Sequence, residues 1–310
     1  MKAELEAAYV GLQSKDPTAL RRYLADVVGL MPGEPAGEGV DTWRVDGKAQ
    51  RLFVRQGASD DAVCMGFEVP DDARFDALLE RLRRHGCPIR EGGADLTSAR
   101  RVRRLASVHA PWGVDVEVVT GLADAPTPFA SALMPRGVVT GAQGFGHGVF
   151  AVGNAADYEA ARSFAIDGLG LTLSDWLRMP MGEIELNVSF FHCNPRHHSL
   201  AIACVPMPPG AQRLHHINFE VPSVPDVGAA FERALRTSTP LANTIGQHAN
   251  DQMVSFYSVS PGGWRVEIGA CGRVVGDDWS DVREYDRISD WGHQPPEVLV
   301  QMFGAAPTAR

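Results

Sequence analysis

The amino-acid sequence predicts an α+β protein made of two similar halves, each containing two modules in which a β-strand precedes an α-helix. Its 310 residues are enough for two domains of about 150 residues each. Three pairs of similar segments recur in the two halves, which indicates an internal repeat. A stretch rich in Ala and Pro lies at residues 122–135. We therefore expect an N-terminal domain at 1–135 and a C-terminal domain at 136–310.

The first pair of segments opens each half. Tyr9-Val10-Gly11 precedes a helical pattern at residues 16–30, and His147-Gly148-Val149 precedes a similar pattern at residues 157–171. Both helical patterns end on a Gly-Leu pair, and glycine at that place is a common helix C-terminus. Each half therefore begins with the same strand and helix.

The second pair is a strand that ends in Phe-Glu-Val-Pro, at residues 66–70 and again at residues 218–222. A helix is predicted after each, because apolar residues recur at helical spacing. The residues expected to pack on a sheet are Phe75, Leu78, Leu79 and Leu82 in the first helix and Val227, Ala230, Phe231 and Leu235 in the second.

The third pair closes each half with a turn and an alternating strand, at residues 110–118 and 260–268. The repeat makes positions in the two halves comparable. The equivalent pairs are His147 with Tyr9, His216 with Cys64, and Glu267 with Glu117.

Charge and composition limit the function. The net charge of −9 and pI near 5.6 argue against binding duplex nucleic acid, which needs clustered Lys and Arg. The basic run at residues 100–104 is short, and an exposed loop or edge strand is the favoured interpretation. Five cysteines without a CxxC pair predict reduced, mostly buried thiols rather than a zinc site or a disulfide framework.

No membrane segment is expected, because no stretch of about 20 residues lacks polar groups. Lys2, Glu4 and Glu6 interrupt any apolar signal-like stretch near the first residue. We therefore expect a soluble, cytoplasmic protein.

Histidines are concentrated in the second half, beside apolar strand-like sequence. Eight of the ten lie there: His147, His192, His197, His198, His215, His216, His248 and His293. In the strand at residues 214–221, alternation puts His216 on a polar face and His215 on the face that packs in the core. In the closing strand it puts Glu267 and Arg265 on the polar side, and a buried carboxylate there is costly unless it is paired or binds a metal.

Two imidazoles and one carboxylate form the facial triad of non-haem Fe(II) oxygenases, which leaves coordination positions for substrate and O2. Zinc accepts the same ligands, so spacing alone leaves the metal open. If His147, His216 and Glu267 form the site, the first half lacks both imidazoles. The first half is then a metal-free structural copy.

The histidine-bearing segments carry a family resemblance that extends over nearly the whole chain. They are Phe191-His192-Cys193-Asn194-Pro195-Arg196-His197-His198, Arg213-Leu214-His215-His216, His248-Ala249-Asn250-Asp251-Gln252, Ser255-Phe256-Tyr257 and Trp291-Gly292-His293. Together they resemble the type I extradiol ring-cleavage dioxygenases of the vicinal oxygen chelate superfamily, the group that includes the 2,3-dihydroxybiphenyl dioxygenases. The resemblance implies paired βαβββ modules that form half-open barrels of the glyoxalase type, and a homo-oligomer, with an octamer favoured.

The resemblance also implies a reaction and a set of roles. Fe(II), with Mn(II) as the open alternative, is held by His147, His216 and Glu267 and cleaves an aromatic diol with O2 as co-substrate. His198 is the catalytic acid/base, whereas His197 lies on the opposite strand face and is left out. The other expected catalytic residues, which also bind substrate, are His248 and Tyr257.

Four further residues complete the expected substrate site: Val149, Phe190, Asn250 and Asp251. The segment at residues 176–187 is expected to shape the pocket wall. Met179, Met181 and Phe190 there suit a bulky catechol such as 2,3-dihydroxybiphenyl or a dihydroxynaphthalene, although ordinary core packing explains them equally well.

Two other functions are compatible with the fold. A glyoxalase-like isomerase or thiol transferase would use Zn, Ni or Mn and would not need His198, His248 and Tyr257 together. A non-catalytic protein that sequesters a ligand would not need the triad.

Overall fold

A computed structural model describes residues 5–276 and 279–297. The chain forms four βαβββ modules, two in each half, and this confirms the predicted α+β class. The elements of the first half are, in order, β1 (Glu6–Ser14), α1 (Pro17–Arg22), β2 (Met31–Pro32), β3 (Val40–Arg44), β4 (Leu52–Gln56), β5 (Asp61–Val69), α2 (Asp72–Arg84), β6 (Arg90–Glu91), α3 (Ala94–Arg100), β7 (Arg104–His109) and β8 (Asp115–Thr120).

The second half repeats this order without a counterpart of α3 and adds two short strands at its end. Its elements are β9 (His147–Val152), α4 (Ala155–Ser163), β10 (Thr172–Met181), β11 (Ile184–His192), β12 (Leu200–Cys204), β13 (Leu214–Glu220), α5 (Val224–Arg236), β14 (Leu241–His248), β15 (Val254–Val259), β16 (Arg265–Ala270), β17 (Glu284–Tyr285) and β18 (Ser289–Trp291).

Each half forms one sheet, and the two sheets have the same strand order. The first runs β2-β3-β4-β1-β5-β8-β7-β6, and the second runs β10-β11-β12-β9-β13-β16-β15-β14 with β17 and β18 added at its edges. The two modules of a sheet meet where β1 pairs with β5, or β9 with β13, in the antiparallel sense. The central registers also correspond: Tyr9–Gly66–Glu117 in one sheet and His147–Asn218–Glu267 in the other.

Helices pack on the sheets largely as their apolar spacing predicts. All four predicted residues of α2 are buried, but in α5 the prediction for Leu235 is wrong. Leu235 is 53% exposed and Ala234 is fully buried in its place. Residues 234 and 235 are adjacent on the helix, and both lie near its apolar stripe. The smaller side chain, that of Ala234, takes the buried position.

Each helix that follows the first strand of a half ends in a π-helical segment, at Tyr23–Val28 and Phe164–Leu169. Gly29 and Gly170 then adopt left-handed backbone, with φ of 93° and 82°. The predicted Gly-Leu helix ends are confirmed, whereas the π-helical turns had no signal in the apolar pattern.

The basic run at residues 100–104 ends α3 and begins β7. Four of its arginines form ion pairs, namely Arg100 with Glu117, Arg101 with Glu34, Arg103 with Asp72 and Arg104 with Asp76. All five cysteines are free, but only Cys64 is fully buried, so the expectation of mostly buried thiols is wrong. Within the described ranges, none of the helices has the length and apolarity needed to span a membrane.

We predict that Gly29→Ala destabilises the protein. A side chain there meets the left-handed backbone and places its Cβ 2.8 Å from Leu133 Cβ, so the free energy of unfolding should fall by about 1–2 kcal/mol. Gly228→Ala is the control, because this helical position is open and alanine should raise stability by about 0.5–1 kcal/mol. Urea unfolding measures both, and equal midpoints would contradict the prediction.

Candidate active site

Three predicted metal ligands lie on the three adjacent strands at the centre of the second sheet. His147 begins β9, His216 lies on β13 and Glu267 lies on β16. His147 Nε2 is 3.1 Å from His216 Nε2. Glu267 Oε2 lies 3.1 Å from the first of these nitrogens and 3.4 Å from the second. The structure thus brings together the three side chains that the sequence nominated.

These separations fit one metal ion. Three atoms bonded to one cation at about 2.1 Å and at right angles stand roughly 3 Å apart. The three side chains are buried, and among the described residues His147 Nδ1 has no hydrogen-bond partner. The ring of His147 is therefore oriented through Nε2 and through packing on His198, whose ring centroid is 3.9 Å away.

The ionisation states also suit a divalent cation. Burial lowers the pKa of His147 to about 4 despite the opposing effect of Glu267, so the imidazole is neutral and has a free lone pair at neutral pH. Burial by itself would raise the pKa of Glu267. Its hydrogen bonds with His147, His216 and His248 outweigh burial and hold that pKa well below its ordinary range.

A close backbone contact and a bulge set the positions of the two histidines. A Cβ on Gly146 would lie 2.0 Å from the carbonyl oxygen of Asn218, so only glycine allows β9 to begin so close to β13. The β9–β13 register shifts between Leu214 and His216. As a result His215 does not point into the core as alternation predicted; it is exposed and lines the cavity.

The second oxygen of Glu267 accepts hydrogen bonds from two predicted catalytic residues. Tyr257 OH donates to Oε1 at 2.8 Å, and His248 Nε2 lies 3.2 Å from the same oxygen. His248 Nε2 and Tyr257 OH are themselves 2.7 Å apart. Burial and Glu267 raise the pKa of Tyr257 well above its ordinary value, so the phenol keeps its proton as a donor.

These groups line a cavity of about 370 Å³, within the usual range for small-molecule sites. Every residue predicted to bind substrate or act in catalysis lines it: Val149, Phe190, His198, His248, Asn250, Asp251 and Tyr257. Arg265 lines it as well, on the same side of β16 as Glu267, while Trp264, Val266 and Ile268 are buried in the core, as alternation predicted.

One wall of the cavity is apolar. It is built on a buried cluster that includes Val149, Leu177, Leu186, Val188 and Ala203, against which Phe190 packs. From the predicted wall segment, Met181 lines the cavity, whereas Met179 packs on the apolar cluster and does not itself line the cavity. The two interpretations of the methionines therefore each hold for one residue.

Sequence patterns match known families in both halves. Residues 145–268 match the Glyoxalase/Bleomycin resistance protein/Dioxygenase superfamily, and residues 8–57 match the first domain of dihydroxybiphenyl dioxygenases. A biphenyl-2,3-diol 1,2-dioxygenase of Metapseudomonas furukawaii is 38% identical over 288 residues, which are 92% of each chain. The chain belongs to the extradiol dioxygenase family.

Other relatives of this extradiol dioxygenase carry different names. A 3-methylcatechol 2,3-dioxygenase of Pseudomonas putida is 37% identical and aligns over 92% of this chain and 96% of its own. An iron-dependent extradiol dioxygenase of Rhodococcus jostii is 34% identical over 92% and 95%. The crystal structure of BphC, a halotolerant catechol dioxygenase, superposes with a TM-score of 0.87 at 31% identity, covering 94% of this chain and 95% of that one.

The geometry of the dioxygenase also includes residues that sequence reasoning left out. His197 lies in a bend directly before His198, not on a strand, and it is buried with its Nε2 3.0 Å from Asp175 Oδ2. His293 stacks on His248 with ring centroids 4.2 Å apart and lines the cavity. The histidine clustering was a signal for His197 and His293, but nothing in the sequence pointed to Asp175.

The first half of the dioxygenase holds a different cluster at the equivalent positions. Tyr9 OH donates to Glu117 Oε2 at 2.5 Å, and Cys64 is buried beside them. Arg100 donates to both oxygens of Glu117, at 2.9 and 3.1 Å, and its guanidinium lies 3.8 Å from the ring centroid of Phe53. An internal cation therefore neutralises the carboxylate that corresponds to Glu267.

We predict that the equivalent carboxylates respond differently to the same substitution. Glu267→Gln removes the anionic ligand, so bound metal should fall from about one per chain to well below it and ring cleavage should be lost. Glu117→Gln, the matched variant, should keep the metal, because in the first half the guanidinium of Arg100 occupies the place where a metal would lie. Elemental analysis of both folded variants tests this; two metals per wild-type chain would contradict the prediction.

Proposed function

We propose that this dioxygenase uses Fe(II) and O2 to open the ring of a bulky or bicyclic catechol beside its two hydroxyl groups, in the degradation of aromatic compounds. The observation that carries the proposal is the meeting of three buried ligand atoms, 3.1–3.4 Å apart, in a cavity that also has an apolar wall.

Iron is favoured by the donor set and by the name of the Rhodococcus relative. Bound there, Fe(II) would supply Lewis-acid chemistry for the diol oxygens and electron density for O2. Mn(II) accepts the same donors, so metal analysis has to decide between the two. By family resemblance, His147, His216 and Glu267 are the proposed ligands.

The proposed roles of the surrounding residues follow from their chemistry and place. His198 accepts a proton from a catechol hydroxyl and later returns one. His248 and Tyr257 each offer one hydrogen to Glu267 Oε1 and so orient this carboxylate. When the diol binds, each hydrogen turns to a substrate oxygen instead. Asn250 and Asp251 complete the polar side of the cavity.

The apolar side of the cavity is the proposed place for a second ring. Val149 and Phe190 line it together with Leu177, Leu186 and Val188, and burying apolar substrate area there favours binding by about 25 cal/mol per Å². Relatives named for biphenyl-2,3-diol and for 3-methylcatechol bracket the candidate substrates, and the apolar wall favours the bicyclic class.

We also propose the larger organisation that the resemblance implies. Residues 1–135 form a metal-free domain, residues 136–310 form the catalytic domain, and the chain assembles as a cytoplasmic homo-oligomer, with an octamer favoured. The alternatives, a glyoxalase-like enzyme or a ligand-sequestering protein, give no use for His198, His248 and Tyr257 in one cavity.

We predict that protein purified without oxygen contains about one iron per chain and consumes O2 with 2,3-dihydroxybiphenyl, giving a yellow ring-opened product. The value of kcat/KM should be higher for this diol than for catechol, because only the bicyclic substrate has a second ring to pack against the apolar wall. Steady-state O2 uptake measures both. Stoichiometric zinc with no O2 uptake on any catechol would refute the proposal.

We predict that His198→Phe keeps its iron and loses turnover, by about 10²–10⁴-fold in kcat. Phenylalanine preserves the stacking on His147 but cannot carry a proton. His109→Phe, at an exposed position of the first half, is the control and should stay near the wild-type rate. Loss of iron from His198→Phe would instead make His198 a metal ligand.

A further inference from the structure

A buried chain of hydrogen-bonding side chains lies behind His198. His197 Nδ1 is 3.2 Å from His198 Nδ1, and His197 Nε2 is 3.0 Å from Asp175 Oδ2. Asn250 Nδ2 donates to the other oxygen, Asp175 Oδ1, at 3.3 Å. All four residues are buried, so solvent does not compete for these bonds.

The direction of each hydrogen bond follows from the carboxylate of Asp175, which ends the series of hydrogen-bonded side chains. A carboxylate only accepts, so His197 Nε2 carries a hydrogen and donates it to Asp175. A neutral imidazole has one such hydrogen, which leaves His197 Nδ1 as an acceptor. His198 Nδ1 must therefore carry the hydrogen of the bond between the two rings.

A second acceptor supports the same direction. Asp251 Oδ2 lies 3.9 Å from His198 Nδ1, and a negative charge there favours a hydrogen on that nitrogen. With its hydrogen on Nδ1, neutral His198 has its lone pair on Nε2. In the described part of the chain, Nε2 of His198 has no hydrogen-bond partner, and the ring lines the cavity.

We propose that Asp175 and His197 are positioning residues that hold His198 in the tautomer whose Nε2 accepts the catechol proton. The inference rests on the proposed role of His198 as the acid/base. It assigns a function to two buried polar residues that do not line the cavity.

Local structure holds this chain in place. The β10–β11 register shifts between Leu173 and Asp175, and a bulge of this kind redirects a side chain. Ser174 and Asp175 are both fully buried as a result. Ser174 donates to the carbonyl of His197, and the ring of Trp279 meets that of His197 edge-on at 5.9 Å. His197 therefore has little freedom to rotate.

Asp175→Asn tests the proposal, because it changes hydrogen-bond polarity with little change in shape. The hydrogen bond from Asn250 keeps the amide oxygen at the place of Oδ1, so the amide nitrogen replaces Oδ2 and donates to His197 Nε2. The hydrogen of His197 then moves to Nδ1, and that of His198 moves to Nε2. The base is left in the wrong tautomer, as happens on Asp→Asn substitution in serine-protease triads.

We expect Asp175→Asn to keep its metal content and KM while kcat falls by about 10²–10⁴-fold. In a His198→Phe background the same substitution should change kcat by less than about threefold, because residues that act as one unit are not additive. A near wild-type kcat for Asp175→Asn would overturn the proposal. So would a loss that adds in full to that of His198→Phe.

A second pair of variants serves if Asp175→Asn does not fold. His197→Gln can donate to Asp175 and accept from His198, so it should retain kcat within about tenfold, whereas His197→Phe should lose it as Asp175→Asn does. Equal rates for the two variants would overturn the proposal. Wild-type enzyme is assayed beside these variants to distinguish the proposed function from the positioning role. Absence of O2 uptake by the wild type refutes the proposed function. An active wild type with unaffected variants refutes only the positioning role.

Discussion

The buried carboxylate of Glu267 is the constraint around which the second half is arranged. It is only 1% exposed, and an ionised carboxylate in such a place costs several kcal/mol unless other groups compensate for it. Oε2 faces His147 and His216, and Oε1 faces Tyr257 and His248. Five strands, β9, β13, β14, β15 and β16, each supply one member of this set. The order of the strands in the sheet is therefore what brings these five side chains together.

The first half meets the same constraint with a side chain of its own. Its sheet has the same order and register, so Glu117 is buried at the place of Glu267. Arg100 reaches it from the end of α3 and forms two hydrogen bonds with its oxygens. Burial of a paired guanidinium and carboxylate satisfies both groups locally. The same fold thus places a carboxylate beside the guanidinium of Arg100 in the first half. In the second half it places the carboxylate beside two imidazoles, a set of ligands that suits a bound cation.

The cavity combines two environments that a catechol needs. Donors and acceptors converge on the side of Glu267, while the cluster around Val149 and Val188 provides an apolar side. His198 lies between them, with one face stacked on His147 and its ring in edge contact with Phe190 at 5.0 Å. The ring of His198, the proposed base, is therefore held by contacts on both the polar and the apolar side of the cavity. An imidazole held in this way is a better-oriented proton acceptor than a mobile one.

The sequence by itself determined the modules, the two-fold repeat, and the three side chains that meet at the centre of the second sheet. The modules, His216 and Glu267 follow from alternation and helical spacing along the chain, whereas His147 was nominated by the family resemblance. Only the tertiary structure decided that His215 lines the cavity, that Ala234 replaces Leu235 in the core, that Arg100 pairs with Glu117, and that Asp175 contacts His197. Each of these depends on a bulge or on contacts between segments distant in sequence, and their geometry is set by neighbouring strands that no local pattern records.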